Sequence, residues 1–227
     1  MQEAEAGTPR LGVLGAGHVG PVIARLAIAA GYPVAIAGTG DPADLSLVTE
    51  LLIPGAQPMR AADAVADADI VVLAIPLHRF LTVEPEGFRS KVVIDAMNYW
   101  PSADGVLKDF EDTAVGSSEV VAARLPGSAV VKTLNHIGYH ELEDNARPAG
   151  STDRRAAGIA GDDAQAVRVV ARFIDRIGYA PVVLGSLSAG RVLQPGGPVF
   201  GEVLTPPEFE EAIRAGVPAG APSGHGA

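Results

Sequence analysis

Six residues near the start of the chain, Gly15-Ala16-Gly17-His18-Val19-Gly20, have the types and spacing to hold a pyrophosphate. In this G-x-G-x-x-G pattern the first glycine permits a tight turn, the second lets the backbone approach the phosphates with no Cβ in the way, and the third allows a helix to pack closely on a strand. The anion would rest on the N-terminus of that helix, where unpaired N–H groups and the positive end of the dipole meet it. A glycine turn that merely packs is the alternative, but the motif follows an expected strand and opens an expected helix.

The end of the next apolar run bears on which dinucleotide is taken. An NAD site usually has Asp or Glu there, accepting from the ribose 2′-OH, whereas this chain has Ala37-Gly38-Thr39-Gly40. Thr39 and the N–H groups of Gly38, Thr39 and Gly40 leave room for a 2′-phosphate, which favours NADP. Against that stand the absence of an arginine at Gly40 and the negative charge of Asp41, although Asp41-Pro42 also reads as the N-cap and first residue of a helix.

Other residue groups have weaker claims. His136 and His140, four apart with Glu141 nearby, suit a divalent metal on a helix, but Gly138 weakens that helix, and histidines lining a lid or touching an anionic cofactor are the favoured reading. His18 fills a variable slot of the glycine loop and is expected to be exposed. His78-Arg79 either steers an anion at the mouth of a crevice or starts a solvated helix. Met97, Asn98, Tyr99 and Trp100 either cover a flat heterocycle or pack as an ordinary loop. Arg147, Arg154 and Arg155 cluster in an acidic chain, read with a slight preference as contacts for an anionic coenzyme tail over simple solubility.

These residues must be positioned by a framework. Apolar strand-like runs alternate with amphipathic helical stretches: Arg10 to Leu14, Pro21 to Ala30, Val34 to Ala37 and Ala43 to Leu52, which predicts βαβ units on a parallel sheet. Ile70 to Ile75 and Lys91 to Asp95 are nearly all apolar, as strands covered on both faces are. A helix at Ser118 to Leu125 and a strand at Val130 to Thr133 complete the expected nucleotide-binding part. Beyond Asn135 the chain reads as a lid or an extension of the sheet: a polar loop, a strand at Ala156 to Ala160, a helix at Asp162 to Ile177, a strand at Pro181 to Leu184 and a short helix at Ser186 to Gln194. From Pro195 the Pro and Gly content predicts a tail that is loose or wrapped on a partner, apart from Glu208 to Arg214. The expected fold class is therefore α/β, a Rossmann-type doubly wound, mostly parallel sheet with a small C-terminal α/β extension. Its divisions are 8–134 for the dinucleotide-binding domain, 135–195 for an acceptor-side lid and 196–227 for the tail.

Composition bounds the rest. The 227 residues are 48% apolar and 19% charged, so a sizeable core is expected rather than disorder. No run approaches the roughly 18 apolar residues of a membrane span, and Met1-Gln2-Glu3-Ala4-Glu5 is acidic where a signal peptide is basic and then apolar, which predicts a cytoplasmic protein without a membrane partner. With no cysteine, thiolate nucleophiles and zinc–thiolate sites are excluded. A net charge of -10 opposes nucleic acid at long range, leaving small molecules as the expected partners, with a homodimer as the expected assembly.

The segments Gly15 to Gly20, Leu73-Ala74-Ile75-Pro76, Asp95-Ala96-Met97-Asn98, Val131-Lys132-Thr133-Leu134-Asn135, Ala160-Gly161-Asp162-Asp163 and Leu184-Gly185-Ser186-Leu187 together resemble the coenzyme F420-dependent NADP oxidoreductases, which share their reductase domain with the STEAP-type metalloreductases. The likeness runs over most of Leu11 to Leu193. It implies a nicotinamide flanked by Ile75, Pro76 and Leu77, a site bordered by Asn135, Ser186 and Leu187, and a deazaflavin stacked on the exposed face. Asn98 joins the expected cofactor contacts. The pair Thr39-Gly40 stands where some members have Ser-Arg. Hydride transfer between two cofactors needs a dry slot with the reacting carbons about 3 to 3.5 Å apart, so no acid–base residue is required. No catalytic or metal-binding residue is therefore assigned. Three readings stay open: an NADPH-dependent reductase of the deazaflavin coenzyme F420, a reductase that uses a flavin to reduce ferric iron, quinones or small organic acceptors, and a non-catalytic NADP(H)-binding sensor.

Overall fold

A computed structural model describes residues 7–112 and 114–216. The acidic start, residues 1–6, and the last eleven residues of the expected tail lie outside the described residues. The chain runs β1 (Leu11–Leu14), α1 (Val19–Ala29), β2 (Val34–Ala37), α2 (Pro42–Leu52), β3 (Gln57–Pro58), α3 (Ala61–Asp67), β4 (Ile70–Leu73), α4 (Leu77–Phe80), β5 (Val92–Asp95), α5 (Pro101–Asp104), α6 (Ser117–Arg124) and β6 (Ala129–Lys132). It continues through α7 (Tyr139–Asp144), β7 (Ala156–Gly161), α8 (Ala164–Arg176), β8 (Ala180–Gly185), a 3₁₀ segment (Leu187–Leu193) and α9 (Pro206–Ala215).

The eight strands form one sheet in the order β3-β2-β1-β4-β5-β6-β7-β8. Pairing is parallel from β3 through β6, antiparallel between β6 and β7, and parallel again between β7 and β8. The first six strands thus have the doubly wound Rossmann order, whose strand order reverses between β1 and β4. Alternation within the strands explains the two buried faces. Leu11, Val13, Ile36, Ile70 and Val72 join one core with Ile23 of α1 and Phe173 of α8, while Leu14, Ala35, Val71 and Leu73 join a second with Val65 of α3 and Val121 of α6. A strand covered on both faces has no polar side to show, which is why these runs are continuously apolar.

Local chemistry sets the helix boundaries. The Asp41 carboxylate accepts from the Ala43 N–H at 3.0 Å with Pro42 in the first turn, and Asp163 accepts from Ala166 at 2.7 Å at the start of α8. The apolar face of α8 buries Ala166, Val167, Val170, Phe173 and Ile174. No helix among the described residues is long and apolar enough to cross a membrane.

The described part of the segment expected to be loose or wrapped on a partner, Gly196 to Gly216, packs on its own chain, and the stretch excepted from that expectation, Glu208 to Arg214, lies in α9. Val199 is fully buried, and Phe209 of α9 packs with Leu193 and Ala156 in a small third core. Proline and glycine bend this segment back onto its own chain. Thr205 and Glu208 close a capping box at the start of α9.

Candidate functional site

The glycine loop leaves β1 and enters α1, with the Gly15 N–H donating to Ala37 O at 2.8 Å. Gly15 has φ +125, and a Cβ there would lie 2.1 Å from Ala74 O; a Cβ on Gly20 would lie 1.8 Å from Gly15 O. Both close approaches exist only because these positions lack side chains. A Cβ on Gly17 would meet nothing within 4 Å. That open space is on the outside of the turn, at a helix end with neither a side-chain cap nor an acidic residue in its first turn. An anion placed there meets free N–H groups without carboxylate competition.

Two cavities meet at Gly17, Ile75 and Pro76. One, of about 510 Å³, lies beside Gly38, Thr39, Leu45 and Arg79. The other, of about 520 Å³, is walled by Val19, Ala96 to Asn98 and Leu134 to Tyr139, with Trp100 and Phe200 at its rim, their ring centroids 5.8 Å apart edge to face. The cleft therefore follows the C-terminal ends of β1, β4 and β5 across the point where strand order reverses, where open α/β sheets take ligands. One half suits an adenosine, the glycine loop a pyrophosphate, and the apolar slot a flat ring.

Asn98 and Asn135 bind each other across the floor of the slot. Asn98 Nδ2 donates to Asn135 O at 2.7 Å, and Asn135 Nδ2 donates to Asn98 Oδ1 at 2.9 Å and to Leu193 O at 2.6 Å. Beneath them Lys132, fully buried, donates to Met97 O at 2.5 Å and lies 3.3 Å from Asp95, which also accepts from Ser118 at 2.6 Å. Burial pushes the Lys132 ammonium below its ordinary pKa while Asp95 opposes the shift. This pair joins β6 to the loop that walls the slot, so a charge that never touches the cavity shapes it. Asp104 has a similar part: it accepts from the Trp100 N–H at 3.0 Å and the His78 N–H at 3.3 Å, and its Oδ1 lies 3.1 Å from His78 Nδ1.

His136 lines the slot but is 1% exposed, and its Nε2 accepts from the Gly158 N–H at 3.3 Å. Burial, helped by the nearby Lys132 charge, drives its pKa down to about 3, so the ring is neutral with its proton on Nδ1. His140, by contrast, is an exposed residue of α7, its ring beside Tyr139. Among the described residues no group of three or more His, Asp or Glu side chains assembles in a way that could hold a metal.

The structure divides the sequence-predicted residues. Gly15, Ala16, Gly17, Thr39, Ile75 and Pro76 line the adenosine-side cavity, and Gly17, His18, Val19, Ile75, Pro76, Asn98 and Asn135 line the slot. Gly20 supports the turn from below. Four of the expected residues, Gly40, Leu77, Ser186 and Leu187, lie outside the lining of both cavities. Gly40 is exposed and lies outside the lining of either cavity. Leu77 is 1% exposed, turned into the core with Phe80 as α4 begins. Ser186 and Leu187 do not reach the slot: Leu187 is buried at 4% with its N–H on Asp162 Oδ1 at 2.9 Å, and Ser186 is exposed with its hydroxyl on Ser188. Their strand, β8, runs opposite to β6 and so points away from the ligand edge, and it is Leu193 that meets Asn135. The arginine cluster is also diverted, since Arg147 pairs with Asp153 at 3.2 Å, Arg154 with Asp175 at 2.6 Å, and none of the three lines the slot. Among the residues that sequence reasoning missed are Tyr139 of α7, Ala103 of α5 and Phe200; only the fold, which brings together segments far apart in the chain, places them at the slot.

Residues 10–99 match the family model described as NADP oxidoreductase, coenzyme F420-dependent. A hypothetical protein of Sinorhizobium meliloti is 30% identical in sequence, with a TM-score of 0.73 over 89% of this chain and 97% of that chain. Over residues 10–99 this chain is similar to the coenzyme F420-dependent NADP oxidoreductase family. The family likeness and the neighbours point to an NADP-dependent oxidoreductase and to NADP(H) as its dinucleotide. A structure named an F420-dependent NADP-reductase, from Arthrobacter sp. FB24, is 26% identical, with a TM-score of 0.66 over 81% of this chain and 87% of that one. The metalloreductase STEAP3 of Rattus norvegicus is 23% identical over 196 residues; the match takes in 86% of this chain and 37% of the length of that curated relative.

Proposed function

We propose that this NADP-dependent oxidoreductase passes a hydride between NADP(H) and the deazaflavin coenzyme F420, with the acceptor lying in the slot bounded by Ile75, Met97, Asn135 and Tyr139. The supporting observation is the slot itself: it continues from the glycine loop, its walls are largely apolar, and the aromatic rings of Trp100 and Phe200 meet edge to face at its rim. NADP(H) would supply the hydride chemistry. The chain's own part is to bind and orient two flat rings and to exclude water, which is all such a transfer asks of the protein. Asn98 and Asn135 hold the floor rigid, and neutral His136 brings no charge to the slot. The similarity to a metalloreductase favours a second reading, a flavin in the same slot that passes electrons to a metal or a small organic acceptor.

The same proposal takes the protein to be a cytoplasmic homodimer acting on small molecules. Leu47, Leu51 and Leu52 of α2, 66%, 69% and 58% exposed, are apolar surface that a second copy would cover. Light scattering tests the assembly.

The deciding experiment mixes the protein with NADPH and either oxidised coenzyme F420 or FMN and follows both chromophores. Bleaching of coenzyme F420 is expected. Bleaching of FMN alone selects the flavin reading, and binding of NADPH with neither chromophore bleached selects a sensor.

A further inference from the structure

The proposed reading leaves one charge at the site without a task. The loop after β2, Ala37-Gly38-Thr39-Gly40, contains no basic residue, although a 2′-phosphate needs a cation to be preferred over a hydroxyl. The cavity beside this loop is closed on its other side by α4 and the turn that follows, and among the described residues Arg79 is the only charged one in its lining. Arg79 is exposed and takes part in none of the ion pairs among the described residues. Its backbone is fixed: its N–H donates to Pro76 O at 3.0 Å, and its carbonyl accepts from the Thr82 hydroxyl at 2.8 Å.

The carboxylates nearby do not cancel it. Asp41 is held by the Ala43 N–H and by Arg60 at 2.7 Å, so its charge is met by a different arginine. Asp44 packs by Gly40, outside the cavity lining.

We infer that Arg79 recognises the 2′-phosphate of NADP(H), reaching across the adenosine cavity from α4 to the phosphate that Thr39 and the loop after β2 would hold from the opposite side. A guanidinium forms two parallel charge-assisted bonds to a phosphate, and the task is met from a different element than the end of β2. This rests on the reading that the cleft holds NADP(H), and is independent of which acceptor fills the slot.

The test compares dissociation constants of NADPH and NADH, and of 2′,5′-ADP and 5′-AMP as fragments, for the full-length wild type, Arg79→Ala, Arg79→Lys and Arg60→Ala. Arg79→Ala is expected to weaken NADPH and 2′,5′-ADP about tenfold or more, as loss of a charged hydrogen-bond pair does. NADH and 5′-AMP should be nearly unchanged, and Arg79→Lys should recover part of the preference. Equal weakening of NADPH and NADH in Arg79→Ala would mean that the guanidinium only covers the adenine, and it overturns the inference. So does an unchanged NADPH to NADH ratio, or a ratio that collapses in Arg60→Ala alone. A wild type that prefers NADPH but bleaches neither coenzyme F420 nor FMN removes the proposed reaction and leaves this inference standing.

Discussion

The ring of His18, in the glycine loop, is stacked on the ring of Tyr139 at the start of α7, with centroids 5.1 Å apart and planes inclined by 21°. A few residues farther along the same two helices, Arg25 of α1 grips Glu143 of α7 through bonds of 2.6 and 2.5 Å, and this hydrogen bonding holds the Glu143 carboxyl below its usual range. The turn that would carry the pyrophosphate is thereby fastened to the wall of the slot.

Tyr139→Ala should loosen that fastening. A stacked aromatic pair contributes roughly 0.5–1.5 kcal/mol beyond area, so NADPH affinity should fall about two- to tenfold, with a larger rise in the acceptor KM because Tyr139 also walls the slot. Isothermal titration beside steady-state kinetics checks this. Unaltered values of both would make the stack incidental.

Two glycines only three residues apart should respond in opposite ways. Gly17→Val puts methyls into open space on the anion side, so the melting temperature should hold while NADPH affinity falls by at least about tenfold. Gly20→Ala drives a Cβ into Gly15 O, so it should lose about 1–3 kcal/mol of stability through overpacking. Thermal melts and NADPH titrations of both variants separate the effects; a stable Gly20→Ala or a tight-binding Gly17→Val contradicts the geometry.

Acid should find His136. Its pKa is near 6.5 when unfolded and about 3 when folded, so the unfolded chain takes up the proton first. The stability tied to the neutral ring is complete above about pH 6.5 and drains away as pH falls toward 3, at up to about 1.4 kcal/mol per pH unit. Denaturant unfolding of wild type and His136→Gln between about pH 7 and about pH 4 isolates this contribution, since the carboxylates are common to both. Wild type should lose more stability than the variant; parallel curves would show that His136 is not buried neutral.

Ala103 of α5 borders the slot without reaching the adenosine cavity. Ala103→Trp should therefore fill the acceptor space and leave NADPH binding within about threefold of wild type while hydride transfer drops about a hundredfold. Parallel loss of both would place the acceptor elsewhere.

What was legible in the sequence follows from how local each signal is. Gly15 to Gly20 could be read because strand, turn and helix are contiguous, and the paired burial of Val13 and Leu14 on opposite faces is written in their continuous apolarity. The direction of β7 was not legible, since Ala156 to Ala160 pairs equally well either way up. That reversal sent Ser186 and Leu187 away from the slot. Likewise nothing local in Lys132 says that it will lie 3.3 Å from Asp95, 37 residues earlier. The family resemblance singled out both segments without their partnership. Nor does the sequence tell Leu77 from its neighbour: Pro76 lines the cleft, but the turn into α4 swings the next side chain into the core.

The rim of the slot has a consequence for how such proteins diversify. Phe200 and Gly201 arrive from beyond the 3₁₀ segment and are tied in by the Gly201 N–H on His136 O at 2.8 Å and by the Trp100 edge contact. Neither residue lines the adenosine cavity. Substitutions or short insertions around these two positions can resize the slot while the adenosine half keeps its shape, so that, on the proposed reading, one inherited dinucleotide site can be wired to a succession of different redox partners.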